Sequence, residues 1–145
     1  MTTPILTAEN VLLHTTLNNK EEAIRKTGQI LVEKGYVEAS YIDAMLAREE
    51  LTSTYMGNYV AIPHGTEEAK KYVITSGISI IQVPDGVDFG NGNIVKLLIG
   101  IAGKDGEHLD ILSKIAIVCS EEENVTKIVN ATSVDEILAI FDEVN

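Results

Sequence analysis

Nine consecutive residues, Ile94-Val95-Lys96-Leu97-Leu98-Ile99-Gly100-Ile101-Ala102, hold one charge and no polar alternation. A strand with one wet face alternates apolar and polar side chains, whereas a run that is apolar at nearly every position is a strand covered on both faces. The run is too short, and too interrupted by Lys96 and Gly100, to cross a bilayer. It therefore predicts the central strand of a sheet, with layers of structure on both sides that the rest of the chain must supply.

Helical patterns flank it. Asn19 followed three residues on by Glu22 marks a helix start, and Ile24, Ile30 and Leu31 recur at helical spacing up to Gly35, predicting a helix over 20–34. Ser40 with Asp43 opens a second helix, with Ile42, Met45 and Leu46 on one face and Arg48 in its last turn. Beyond the apolar run, Leu109, Leu112, Ala116 and Cys119 line one helical face and Ile111, Ile115 and Val118 another, which predicts a broadly buried helix. Ser120 with Glu123 and Ser133 with Glu136 have capping-box spacing and open two more. Short extended runs lie between: Val11-Leu12-Leu13, Tyr59-Val60-Ala61-Ile62, and 78–83, the last bounded by a turn at Pro84-Asp85-Gly86. Residues 52–58 read as a polar loop, Thr66 as the cap of a short helix over 67–71, and Gly90-Asn91-Gly92-Asn93 as a turn. The order is roughly β-α-α-β-β-β-α-α-α, an α+β (α/β sandwich) fold with a mixed sheet between helical layers, expected as one domain over 1–145.

Composition narrows the function classes. With 22 acidic against 11 basic residues the formal net charge is −11, which repels phosphate backbones and anionic membranes and sets nucleic acid and membrane surfaces aside as partners. The start of the chain lacks the basic stretch and apolar core of a signal peptide. Cys119 is the single cysteine, so no internal disulfide forms, and its apolar surroundings predict a buried thiol, in keeping with a reducing cytoplasm. No Cys/His set has metal-ligand spacing and no phosphate-loop or nucleophile-elbow pattern occurs, so neither metal nor cofactor is expected.

The chemistry concentrates at His64, in Val60-Ala61-Ile62-Pro63-His64-Gly65-Thr66. Pro63 has a fixed φ and biases Ile62 towards an extended backbone, so the imidazole is held on a stiff stalk at a strand exit. Gly65 leaves room beside it, and the following helix start offers amide N–H groups to an anion. His108 stands in the first turn of the helix after the central strand, where the dipole favours a neutral imidazole; by itself it reads first as an exposed first-turn residue with no chemistry. Arg48 presents a planar cationic fork suited to phosphate, or simply complements its own helix terminus. His14 reads as a packing or solvent-facing residue.

Arg48-Glu49-Glu50-Leu51, Thr54-Tyr55-Met56-Gly57-Asn58, Val60-Ala61-Ile62-Pro63-His64-Gly65-Thr66 and Ala69-Lys70 together resemble the EIIA domain of the bacterial phosphoenolpyruvate-dependent sugar phosphotransferase system. The stretch Gln82-Val83-Pro84-Asp85-Gly86-Val87-Asp88-Phe89-Gly90 and the run from Leu98 through His108-Leu109 are similar to its mannitol-specific branch. The resemblance covers essentially the whole chain. It implies that His64, through Nε2, accepts a phosphoryl group from the phosphocarrier HPr and passes it to a cysteine of mannitol EIIB, which serves the membrane domain EIIC. It implies also that Arg48 and His108 hold the phosphoryl group. Some relatives carry a carboxylate where this chain has Asn58, so an acidic role there does not transfer. Cys119, in a core helix with no phosphate-cradling loop, is not the EIIB-type cysteine. A second reading keeps the EIIA-like fold but makes the chain a fructose- or nitrogen-type regulator that acts by phosphorylation-dependent partner binding; a histidine-dependent phosphate hydrolase is a third. The acidic balance predicts attraction to a basic face on HPr that weakens as salt rises.

Overall fold

The structure is a computed structural model that describes residues 5–141. The expected domain boundaries at 1 and 145 fall in the terminal segments, outside the described residues. Strands β1 (Val11–Leu12), β2 (Tyr55–Gly57), β3 (Val60–Ala61), β4 (Gly77–Asp88) and β5 (Ile94–Ala102) form one mixed sheet in the order β1-β4-β5-β3-β2. β5 is central, antiparallel to β4 and parallel to β3. Its register on β4 pairs Ile78 with Ile101 and Ile80 with Ile99.

Two layers cover the sheet, as the doubly apolar β5 requires. Helices α1 (Lys20–Glu33) and α2 (Ser40–Leu51) pack with Leu98 and Ala102 of β5 on one face. Helices α3 (Glu107–Cys119), α4 (Glu122–Val129) and α5 (Val134–Ile140) pack with Leu97, Ile99 and Ile101 on the other. The same alternation runs along β4: the Ser79 hydroxyl donates to the Thr27 carbonyl of α1, while the Gln82 amide donates to the Ile128 and Ala131 carbonyls at the end of α4. These polar side chains are buried and paired, so they anchor helices to the sheet without leaving an unsatisfied group.

The Asn19 cap forms as expected, its side chain accepting from the Glu22 amide, and Ser133 does the same for Glu136. Five local expectations are corrected. Ser40 is the first helical residue; the cap position is Ala39, already helical, because the preceding turn closes through the Tyr41 and Ile42 amides onto the Glu38 and Ala39 carbonyls. Ser120 ends α3 rather than opening α4, its hydroxyl donating back to the Ile117 carbonyl. Thr66 precedes a 3-10 helix (Glu67–Tyr72) but makes no side-chain capping bond. Part of the polar stretch 52–58 is strand β2, an edge strand that pairs on one side only and so carries no strong apolar alternation. Pro84-Asp85-Gly86 lies inside β4, where a register shift between Gln82 and Val87 absorbs a residue that cannot donate to a ladder. Burial of α3 is also narrower than its composition suggests: Ile111, Ile115 and Cys119 form the buried stripe, while Leu109, in the first turn, is 71% exposed.

Candidate functional site

The site lies where the chain leaves the ends of β3 and β5. Beyond β3 the Ile101 amide donates to the Pro63 carbonyl, and His64 forms a parallel bridge with Ile101. The imidazole is therefore registered against the central strand. Its Nδ1 lies 2.8 Å from the Ile62 carbonyl oxygen. A carbonyl can only accept, so Nδ1 carries the proton, and in the neutral ring Nε2 is left with a free lone pair.

Tyr41 of α2 fixes the next residue. Its hydroxyl accepts from the Gly65 amide at 2.9 Å and donates to the Ile101 carbonyl at 2.8 Å, joining the loop to β5. The tyrosine is buried, and that burial raises its pKa above the ordinary value. Gly65 is required here for close approach: a Cβ would stand 2.6 Å from Tyr41 Cε1. Gly103 plays the matching part at the end of β5, where a Cβ would stand 2.3 Å from the Cα of His108. Without side chains at these two positions, α3 begins close enough to the sheet for His108 to reach His64. The ring centroids are 5.1 Å apart, tilted by 51°.

A cavity of about 290 Å³ opens over the two rings, lined also by Tyr41, Arg48, Leu51, Glu67, Lys70 and Val73. The structure thus brings His64, Arg48 and His108 to one cavity from three separate stretches of chain. Burial lowers the pKa of both imidazoles. At His64 the Arg48 charge adds to this, opposed by the hydrogen bond to Ile62 and the charge of Glu49. At His108 the His64 and Lys70 charges add to it, opposed by Glu67. Both rings are accordingly neutral at neutral pH, which preserves the lone pair on His64 for attack on an electrophile. The Arg48 guanidinium sits in the last turn of α2 and donates to the Thr52 carbonyl at 2.7 Å, which anchors it at the cavity wall. A nucleophilic nitrogen beside a second imidazole, in a cavity lined also by the cation Arg48 and by Lys70, itself paired with Glu67, suits a transferring phosphoryl group, whose equatorial oxygens carry negative charge.

Other sequence candidates lie elsewhere. His14 is exposed and adopts a positive φ of 48° after β1. Asn58 belongs to the β2–β3 turn, with φ 55°, and its amide donates to the Cys119 carbonyl at 3.0 Å; it does not line the cavity. Cys119 is buried, and its thiol is pushed up to about 12 by desolvation. Among the described residues no group of three or more His, Cys, Asp or Glu side chains could hold a metal ion, and no helix is long and apolar enough to cross a membrane. Two residues of the site were not singled out for chemistry from sequence. Lys70 has the local signature of a helix-terminus lysine, and Tyr41 that of a core aromatic; only the tertiary fold brings both to the cavity lining.

Comparison with known proteins bears on the chain as a whole. The profile of the family described as phosphoenolpyruvate-dependent sugar phosphotransferase system, EIIA 2, matches residues 4–144. A mannitol-specific phosphotransferase enzyme IIA component of Geobacillus stearothermophilus is 69% identical over 145 residues, all of both chains. The crystal structure of mannitol IIA from Escherichia coli superimposes with a TM-score of 0.87 at 43% identity, covering 94% of this chain and 98% of that one. A complex of mannitol enzyme IIA with phosphorylated enzyme IIB from the same organism contains a chain that superimposes at 0.88 with 40% identity, covering 95% and 97%.

Proposed function

The chain belongs to the EIIA 2 family of the phosphoenolpyruvate-dependent sugar phosphotransferase system, and from that premise we propose that it is the mannitol-type phosphoryl carrier, with His64 as the acceptor. The observation that carries this reading is the 2.8 Å contact of His64 Nδ1 with the Ile62 carbonyl: it spends Nδ1–H on that oxygen and leaves Nε2 as the nucleophile beside His108. In the first step the Nε2 lone pair attacks the phosphorus of phospho-HPr. A new P–N bond forms while the donor P–N bond breaks, and its electron pair returns to the donor histidine. In the second step a thiolate of EIIB attacks the same phosphorus, a P–S bond forms, and the electron pair of the broken bond returns to Nε2. The complex of a similar IIA with phosphorylated IIB supports EIIB as the receiver, from which the group reaches mannitol through EIIC.

Arg48 and His108 stabilise charge on the equatorial oxygens, with no metal required. The chain acts in the cytoplasm as one EIIA domain over residues 1–145, and its net charge of −11 favours encounter with a basic face on HPr. Incubation with phosphoenolpyruvate, enzyme I and HPr is expected to give an acid-labile, base-stable phosphoprotein, absent in His64→Ala. Arg48→Ala and His108→Ala are expected to fold and to transfer about 10–1000-fold more slowly. A label that persists in His64→Ala removes His64 from the role. A phosphoprotein that never passes its group to mannitol EIIB would favour the regulatory reading instead.

A further inference from the structure

One carboxylate whose charge acts on His64 stands outside the cavity lining. Glu49, in the last turn of α2, is 5% exposed, the one buried charged side chain among the described residues. Its Oε1 accepts from both the amide (2.9 Å) and the hydroxyl (2.5 Å) of Thr54. Its Oε2 is buried with no hydrogen-bond partner among the described residues, and stands 3.7 Å from Lys20 Nζ, within ion-pair range but beyond a hydrogen bond. Leaving a buried carboxylate oxygen unsatisfied costs stability, and such a group calls for an explanation.

The path from Glu49 leads directly to the active imidazole. The Thr54 carbonyl accepts from the Ile62 amide at 3.0 Å, and the Ile62 carbonyl accepts from Nδ1 of His64. The residue whose carbonyl orients the ring is thus tied, through its own amide and Thr54, to the carboxylate. Phosphorylation changes the charge of that ring: Nε2 bonds phosphorus while Nδ1 keeps its proton, so a neutral imidazole becomes cationic. Of the charged and titratable groups facing His64, Arg48 on α2 disfavours this charge and Glu49 favours it, while Lys70 and Glu67 on the 3-10 helix and His108 on α3 share its cavity.

We propose that Glu49 is a positioning residue for His64: through Thr54 and the backbone of Ile62 its carboxylate holds the imidazole with Nδ1–H inward, and its incompletely neutralised charge supports the cationic ring of the phosphorylated state. The second half rests on the phosphoryl-carrier reading; the first does not. The test is therefore made first on the unphosphorylated protein, by following the ring nitrogens of His64 with pH by NMR. Glu49→Gln keeps an oxygen that can accept from Thr54 but removes the charge. It is expected to leave the Nδ1–H tautomer in place and to lower the His64 titration midpoint by about 0.5–1 pH unit. Lys20→Gln, at a partly exposed side chain, is expected to raise the midpoint, and to raise it less in the Glu49→Gln background.

In the phosphoprotein, Glu49→Gln is expected to lower the Nδ1 midpoint in the same direction and to slow transfer to EIIB about 3–10-fold, with Glu49→Asp partly restoring both. A His64 midpoint unchanged in Glu49→Gln, or one unchanged or lowered in Lys20→Gln, overturns the proposal; the lysine variant decides alone if the Gln variant does not fold. If the wild type takes no phosphoryl group on His64, the carrier reading fails, while the titration of the unphosphorylated protein still judges Glu49.

Discussion

Replacing Tyr41 by Phe deletes one oxygen and tests how the site is held to the fold. That hydroxyl is the joint between the Gly65 amide and the Ile101 carbonyl. Its loss removes two hydrogen bonds, each worth about 1 kcal/mol net, and leaves a carbonyl on the buried strand β5 without this donor, a penalty of about 1–3 kcal/mol if nothing replaces it. The ring remains, so no cavity opens beyond the oxygen itself. Gly65 is half-buried, and water can recover part of what its amide loses. The expected net destabilisation is about 2 kcal/mol, which for a chain of this size corresponds to a fall in Tm of roughly 6–10 °C. Urea denaturation at neutral pH measures it, and the same sample, tested for phosphoryl uptake from phospho-HPr, is expected to react more slowly because the residue after His64 has lost its tether. A change below about 0.5 kcal/mol, with uptake unaltered, would refute the claim that Tyr41 holds the loop. Gly65→Ala should cost about 1–3 kcal/mol through the clash at 2.6 Å with the same ring. Pairing it with Tyr41→Leu should recover part of that loss.

Two further outcomes follow from titration. His64 and His108 both have folded pKa values below the ordinary 6.5, so between the folded and unfolded values the unfolded chain binds more protons. Their contribution to stability is fully present above pH 6.5 and is lost as pH falls from there through the folded values; urea midpoints at pH 7.5 and 5.5 should show the loss, and His64→Ala should reduce it. Cys119, with its thiol at about 12 and its side chain buried, should resist a disulfide reagent at pH 8 in the native protein and react fully in urea; rapid native reaction would contradict its burial.

Much of the fold was legible because its signals are local. The run at β5 announced a strand buried on both faces, and Asn19 and Ser133 announced helix starts, since a cap is completed within four residues. Where the same signals misled, a competing partner decided. Ser120 has capping-box spacing but donates back to Ile117, because α3 runs on to Cys119 before α4 begins. Pro84-Asp85-Gly86 has turn chemistry but sits in a long strand that tolerates a register shift. β2 is an edge strand whose pairing comes from β3, not from its own pattern.

The candidate site divides in the same way. The sequence alone determined that His64 would stand on a stiffened strand exit between Pro63 and Gly65, because φ restriction and steric freedom are properties of single residues. It also determined that Cys119 would lie in a core helix. The tertiary structure alone decided that His108 comes within 5.1 Å of His64, that Tyr41 clasps Gly65 to β5, and that Glu49 reaches the imidazole through Thr54 and Ile62. These partners are up to 60 residues apart in sequence. They meet because β3 and β5 lie side by side in one sheet while α2 and α3 cover opposite faces of it, an arrangement set by burial of the whole core and not by any local pattern.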